Sequence, residues 1–382
     1  MDYLSEPLHW ALFSLLLVSS AYHILCIRGL AVLPRRKKEN TDFSPSVSVL
    51  KPVRGIEPRL RECLASFCRQ SYKNYELIFA VQDAADPAIA LIEQLIRDYP
   101  DRDIRLVVNP ARIGLSAKLC NLENALRAAK HQLLVISDSD ILVEPDYLKK
   151  VVAPFADQKV GLVTCLYRAA HTDRLASLLE AIGISAEFLP GVFAALRLEG
   201  LRFALGATIA IRREVLEQIG GFGRIADYLG DDYLLGKLTS EAGYELVFCD
   251  SVVETVLPDY TLEEFVAHQL RWARNLKASR PGGYLGLLFT HTTVFVIAGL
   301  LFYPDSGWLL LASMLGLCLR FYSAWVIGVK NLQDQNLAEY FHLVPLRDLV
   351  WFVIWLLGFW GNKVTWRGQS FRVSKGGRLM PV

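Results

Sequence analysis

The sequence predicts an α/β domain with an open, mostly parallel sheet, tethered by apolar helices at both ends of the chain. Three observations carry that prediction. From Val47 to Thr164 short apolar runs alternate with helix-length segments, the pattern of strands joined by crossover helices. Apolar residues make up 53% of the 382-residue chain against 21% charged, and the apolar excess gathers at the two ends. Residues 132–142, QLLVISDSDIL, read as a buried strand that delivers two carboxylates at its carboxyl end. In an open α/β sheet that edge is where ligands bind.

Residues 10–30 are nearly all apolar, broken only by His23 and Arg28. A run of about 21 residues at 1.5 Å each covers about 31 Å, enough to cross a bilayer. Arg35-Arg36-Lys37-Lys38 follow, whereas a cleaved signal peptide carries its positive charge before the apolar run. The basic flank marks the cytoplasmic end of an anchor. Residues 39–45 read as a linker.

Residues 47–50, 76–81, 104–108 and 133–137 then read as strands, with 59–68, 87–99, 116–129 and 146–153 as helices. Pro87 after Asp86 suits a first helical turn. No GxGxxG follows the first strand, which disfavours a dinucleotide-binding domain. Residues 160–164 and 207–211 are further strands, and 213–219 a short helix stopped by Gly220-Gly221.

The stretch 175–205 is long and apolar, with sparse charges at Glu180, Glu187, Arg197, Glu199 and Arg202 and a break at Pro190-Gly191. It reads as two amphipathic pieces at the membrane interface or lining an acceptor groove, rather than a span; two helices packed on the sheet are the alternative. Asp231 and Asp232 open a helix running to Ala242. Acidic residues in a first turn often serve only as caps or dipole partners. Residues 261–278 form a polar helix bearing His268-Gln269-Leu270-Arg271-Trp272. Arg271 and Arg274, three apart, share a face.

Two apolar runs, 285–303 and 307–328, flank Pro304-Asp305-Ser306, a hairpin. Arg320 inside the second is costly in lipid and must snorkel or face protein. A last run reaches spanning length only as 344–360, which includes Arg347 and Asp348. The basic tail after it (Lys363, Arg367, Arg372, Lys375, Arg378) belongs in the cytoplasm, which argues for a re-entrant or interfacial run unless charge bias fails there.

Net charge is +2, too balanced for a nucleic-acid surface, while the local basic clusters suit a membrane surface. Seven cysteines (26, 63, 68, 120, 165, 249 and 318) show no metal spacing and fit a reducing compartment.

Four features converge: Asp83 at the end of the second strand, Asp138-Ser139-Asp140, Asp231-Asp232, and HQLRW at 268–272. Together with Leu50 to Gly55 (LKPVRG), Asp86-Pro87-Ala88-Ile89, Asn109 through Lys118 and Trp366-Arg367-Gly368, this set resembles the processive-type and lipid-directed family-two glycosyltransferases of GT-A fold. The nearest match is the ceramide glucosyltransferase group, family twenty-one, and hopanoid-pathway glycosyltransferases of bacteria are similar. The resemblance covers almost the whole chain.

It implies that Asp83 contacts the uracil or ribose of a UDP-sugar and that Lys118 approaches the nucleotide, with Lys51 also on the donor side. Asp138 and Asp140 would hold Mg²⁺ or Mn²⁺ and the diphosphate. Asp232 would be the general base, and Arg271 and Trp272 would lie near diphosphate and acceptor. Asp231, His268, Gln269 and Arg274 are accessory. His268 stands where the family signature has Gln or Arg, which weakens a direct pyrophosphate contact or makes it pH-dependent, and Gln269 substitutes only with a shift of helix register. The second Asp of the DxD, absent from vertebrate ceramide enzymes, places the chain nearer the bacterial branch.

The residue types fit the chemistry. A departing UDP needs its charge neutralised by a divalent ion and nearby cations, and an acceptor hydroxyl needs a base within hydrogen-bond reach. The expectation is an inverting, metal-dependent transferase moving glucose from UDP-glucose to ceramide at the cytoplasmic face of a bacterial inner membrane. Its parts would be an anchor at 1–33, a catalytic domain at 34–283 that includes 175–205, and a membrane region at 284–382. The alternatives are another UDP-sugar, such as UDP-N-acetylglucosamine, onto a hopanoid, diacylglycerol or polyprenyl phosphate; a processive synthase, disfavoured by the few spans; and a silent sugar-nucleotide binder, against which the full set of carboxylates speaks.

Overall fold

The structure is a computed structural model that describes residues 5–33, 43–366 and 369–381. The basic run 35–38, most of the linker, and Arg367 and Gly368 lie outside them. Two compact units partition the chain: Pro34–Ala170 with Leu201–Pro258, and Met1–Leu33 with His171–Gly200 and Asp259–Val382.

The chain opens with helix α1 (Ser5–Gly29) of the second unit. The sheet unit follows as β1 (Val47–Pro52), α2 (Leu60–Cys68), β2 (Tyr75–Val81), α3 (Ala88–Asp98), β3 (Asp103–Val108), α4 (Ala117–Ala128) and β4 (Leu133–Ser137). It continues with β5 (Ile141–Leu142), α5 (Tyr147–Val152) and β6 (Val160–Ala169). After α6 (Leu175–Gly183) and α7 (Leu189–Glu199) of the helical unit, it is completed by β7 (Thr208–Arg212), α8 (Arg213–Gln218), α9 (Asp231–Glu241) and β8 (Glu245–Thr255).

The strand order is β3-β2-β1-β4-β7-β6-β8-β5. Strands β1 to β4 run parallel to one another, β7 is antiparallel to both β4 and β6, and β8 is parallel to β6. Strands β1 and β4 are buried along their whole length, which is why β4 reads as a continuous apolar run rather than an alternation, while β1 buries Ser48 and Lys51 as well. Leu50, Ile78, Leu122, Ile136, Ile209 and Leu235 anchor the core between sheet and helices. Because β1 to β4 are parallel, their carboxyl ends share one edge, and the residues that follow β2 and β4 emerge there.

The helical unit continues with α10 (Leu262–Ser279), α11 (Pro281–Gly286), α12 (Thr292–Phe302), α13 (Gly307–Ala324), α14 (Gln335–Glu339) and α15 (Val344–Leu357). A three-stranded antiparallel sheet, β9 (Lys363–Trp366), β10 (Gln369–Val373) and β11 (Leu379–Pro381), closes the chain. Among the described residues, Glu6–Val32, Leu175–Glu199 and Gly307–Asn331 are long and apolar enough to cross a membrane; Pro281–Thr290 and Thr292–Phe302 form a pair bent by 50°. Exposed large apolar side chains gather on this unit, and among the described residues of the sheet unit only Ile56 and Val108 are of that kind.

The 175–199 stretch differs from the other two. Its apolar window is 78% buried within the protein, against 33% for Glu6–Val32 and 39% for Gly307–Asn331. Its apolar character therefore serves packing. The expected break at Pro190-Gly191 is absent. Irregularity sits instead in a π-helical turn, Ile184–Phe188, and Pro190 follows it at the start of α7.

Helix α15 has 14 residues, about 21 Å long and short of the ~30 Å hydrocarbon core. Its two charges are buried and paired. Asp348 takes a two-pronged contact from Arg320 of α13, at 2.6 and 3.1 Å, and a hydrogen bond from Thr293 at 2.5 Å. Arg320 thus faces protein. Arg347 donates to Glu187 at 3.1 Å and Gln269 at 2.7 Å. Replacing Asp348 by Asn strands a buried guanidinium and should cost roughly 3–5 kcal/mol. Thermal unfolding in detergent checks this, and the double variant Arg320→Met/Asp348→Leu should recover most of the loss.

Candidate functional site

The carboxylate edge of the sheet unit is organised by one lysine. Ser116 caps α4, its side chain accepting from Leu119 N at 3.4 Å, which sets Lys118 in the first turn. The loop before it is pinned to the segment leading into α9. Leu115 N donates to Asp227 at 3.1 Å, Ser116 N donates to Ala226 O at 2.9 Å, and Gly114 lies so close to Ala226 that no side chain would fit. The Lys118 ammonium then reaches Asp138 at 2.8 Å and Asp231 at 3.2 Å. Burial alone would lower its pKa, but Asp138 and Asp231, with Asp232 beyond them, hold it well above the usual lysine value.

Asp232 follows Asp231 in the first turn of α9 and accepts from Tyr233 N at 2.7 Å. Its carboxyl is raised to about 6, first by burial and then by the Asp231 charge, with Lys118 pulling the other way. A Cβ on Gly206 would stand 3.2 Å from Asp232 Oδ2; the missing side chain leaves that oxygen room.

Asp140 is raised to about 7, by burial first and then by the Asp138 and Glu57 carboxylates. Three supports hold the turn that carries it. The pairing of β5 with β8 brings Thr255 Oγ1 within 3.0 Å of Asp140 Oδ2, and Val256 N donates to Asp140 O at 2.9 Å. Ser139 donates to Glu57 at 2.7 Å. Beneath the turn lies Lys51, fully buried, which donates to Asp138 O at 2.5 Å and packs its ammonium 3.8 Å from the centre of the Phe67 ring. Burial pulls Lys51 down to about 8. Its ammonium therefore meets the backbone under the turn.

Among the described residues no three His, Cys, Asp or Glu side chains form a ready metal cage. Two hard carboxylates whose neighbours push a proton onto one of them nevertheless suit Mg²⁺ or Mn²⁺, ions that take the rest of their shell from water and substrate phosphate.

Asp83 is exposed just past β2, accepting from Ala85 N at 2.9 Å; it shares the sheet edge but makes none of these contacts. A cavity of about 540 Å³ in the sheet unit lies elsewhere, against Phe43, Lys130, His131, Phe155 and Arg212 at the amino ends of β1 and β4. Its cations are already engaged, Arg212 by the carbonyls of Phe155, Asp157 and Val160 and Lys130 by Asp103.

In the helical unit, α10 starts with a capping box between Thr261 and Glu264. His268 Nδ1 lies 3.0 Å from Glu180 and 3.2 Å from the Tyr260 hydroxyl. Gln269 is buried and accepts from Arg347 with no shift of helix register. Trp272 packs edge-on to His268 and Phe188, with ring centres 5.5 and 5.8 Å apart. Arg271 is half-buried. Arg274 donates to the carbonyls of Trp360 and Lys363, and Lys277 to that of Phe359, so this basic face ties α10 to the chain after α15.

Sequence reasoning missed Glu57, Ser139, Thr255 and Glu180. Ser139 was in view inside the DSD; the others pair across 82, 115 and 88 positions, which no local pattern reveals.

Comparison with known proteins agrees with this arrangement. The chain is 25% identical to ceramide glucosyltransferase 1 of Caenorhabditis elegans over 97% of its length and 81% of that protein's. It is 22% identical to ceramide glucosyltransferase 3 of the same animal, over 91% and 77%. Among solved structures it resembles a mannosyltransferase from Pyrobaculum calidifontis in complex with GDP-Man and Mn²⁺. That match has a TM-score of 0.58 at 21% identity and covers 93% of this chain and 99% of the other, which makes the fold GT-A. Residues 11–379 match Glycosyl transferase family 21, and the chain belongs to that family of glycosyltransferases.

Proposed function

We propose that this protein transfers glucose from UDP-glucose to the primary hydroxyl of ceramide, with inversion, at the cytoplasmic face of a bacterial inner membrane. The observation that carries the reading is the carboxylate set around Lys118, in which Asp232 is raised to about 6. A base poised near neutral pH can take a hydroxyl proton in the transition state and still be ionised beforehand. The ceramide glucosyltransferase names of the two relatives and the GDP-Man and Mn²⁺ of the structural neighbour support a nucleotide-sugar donor, a lipid acceptor and a divalent ion.

In this mechanism Asp83 meets the nucleoside and Lys118 stands beside the diphosphate, its charge shared with Asp138 and Asp231. Arg271 and Trp272 take the roles that their signature implies, near diphosphate and acceptor. Asp138 and Asp140 would hold Mg²⁺ or Mn²⁺, which neutralises charge on the departing diphosphate. Asp232 accepts the acceptor's proton as oxygen bonds to the anomeric carbon. No second carboxylic acid is required, because UDP leaves as an anion. The anchor at 1–33 and the membrane region at 284–382 keep the intervening catalytic part at the bilayer, where the acceptor resides.

Purified enzyme in nanodiscs, offered UDP-glucose, UDP-galactose and UDP-N-acetylglucosamine against ceramide, diacylglycerol and a hopanoid, tests the reading directly. β-Glucosylceramide is the expected product; product only on another lipid overturns the acceptor, and none from any pair overturns the reading. Asp232→Asn should lower kcat by about 10²–10⁴-fold while UDP binding by calorimetry persists. Chelating the divalent ion should abolish turnover, and Mg²⁺ or Mn²⁺ should restore it, read as UDP release.

The pH profile follows from the sign of the shift. Below about 6 Asp232 carries a proton and cannot act as base, so kcat/KM should fall about tenfold per pH unit on the acid side. Lys118 holds the Asp232 pKa down, so Lys118→Met should move that limb to higher pH as well as weaken the donor.

A further inference from the structure

Glu180 is a buried carboxylate, 2% exposed, in the otherwise apolar helix LASLLEAIG. A carboxylate oxygen is a hydrogen-bond acceptor, so the 3.0 Å contact suits His268 Nδ1 as the donor. In a neutral ring, a proton held on Nδ1 by that contact leaves the lone pair on Nε2. The ring is also held in place. Tyr260 lies tilted against one side, its hydroxyl 3.2 Å from Nδ1, and Trp272 meets the ring edge-on with Phe188 behind it. The pair opens at one end only, with the Glu180 side chain 3% exposed and that of His268 17%.

A simple strut between α6 and α10 would need none of this selectivity, because Gln269 and Arg347 already join α10 to α15 and to Glu187 beside α6. What the geometry supplies beyond a strut is an oriented acceptor atom, Nε2, set among aromatic rings in a unit that carries most of the exposed apolar surface. Nε2 with a lone pair takes an O–H donor, and the rings offer apolar walls. That combination fits the hydroxyl-bearing head of a lipid alcohol and suits a phosphate anion poorly, since a lone pair repels it.

We propose that Glu180 is a positioning residue which, by fixing the tautomer of His268, presents Nε2 to a hydroxyl of the lipid acceptor. This rests on the lipid-acceptor reading of the protein and places acceptor recognition on His268.

The test uses full-length enzyme in nanodiscs with ceramide and UDP-glucose. Glu180→Gln removes the acceptor-only partner. It should raise the KM for ceramide about tenfold, the size of one lost hydrogen bond, while the KM for UDP-glucose and the melting temperature stay as in wild type. In ¹⁵N-histidine spectra the His268 signals should move away from the Nδ1–H tautomer. The amide of Asn reaches as far as Nδ1 and that of Gln as far as Nε2, so His268→Asn should lose more ceramide affinity than His268→Gln. Equal or reversed losses, or a rise in the UDP-glucose KM instead, would show a strut or an anion contact and overturn the proposal.

One arm is independent of turnover. Adding ceramide, with no donor present, should shift the wild-type His268 Nε2 resonance, and Glu180→Gln should need about tenfold more ceramide for the same response. No shift in wild type overturns the proposal even if the enzyme glucosylates ceramide. A shift without any glucosylation would leave this site standing and remove the proposed activity.

Discussion

The ion pairs of Lys118 are the constraint on which the rest of the sheet edge depends. Asp138 follows β4, Asp231 and Asp232 open α9, and Lys118 lies in the first turn of α4; like charges brought to one edge repel unless a cation is shared among them. One ammonium reaches two of these carboxylates, at 2.8 and 3.2 Å. Its own placement is secured by the Ser116 cap and by the contacts of residues 114–116 with Ala226 and Asp227. The same cation moderates Asp232. Burial and Asp231 drive that carboxyl up, Lys118 draws it back, and the balance lies near 6, within the range in which a base is both ionised and basic.

The DSD turn is held by a second cation, which bonds its backbone from beneath. Lys51 is enclosed by Phe67 and the strand edge and spends its charge on the Asp138 carbonyl. On the outer side, β5 and β8 hold Asp140 through Thr255 and Val256. A two-residue strand contributes little by itself, yet its register places the carboxylate. Backbone pairing thus fixes Asp140 while Asp138 is fixed by charge, so the two members of the motif depend on different parts of the fold.

The legibility of these parts follows from how local their causes are. The strand at 133–137 and the helix opening at Asp231 were readable to the residue, because a continuous apolar run and an acidic first turn are local signals. Strand β8, with Asp250 exposed in its middle and a register shift opposite Thr164, breaks the alternation that would announce it. The tail strands do alternate: Val364, Phe371 and Val373 are buried between exposed Lys363, Thr365 and Arg372. Their basic residues carry a membrane-topology signal that masks this alternation. Glu57, Thr255 and Glu180 acquire meaning only from partners far along the chain.

The charges inside apolar runs show why hydropathy alone misreads the helical unit. Arg320, Arg347 and Asp348 each count against a membrane segment when taken singly, but in the fold they are cross-links, Arg320 to Asp348 and Arg347 to Glu187 and Gln269. Gly183 belongs to the same device, since any side chain there would collide with the Arg347 guanidinium that lies against its backbone. A buried pair of this kind adds little net stability over apolar packing, yet it penalises every arrangement that separates its members. The helices are therefore held in register by charges that an apolar interface would not supply, and His268 and Gln269, on two faces of α10, are each tied to a different neighbour. A helix tied on two faces cannot roll about its axis without breaking one tie, so Arg271 and Trp272, one turn further on, inherit a fixed orientation.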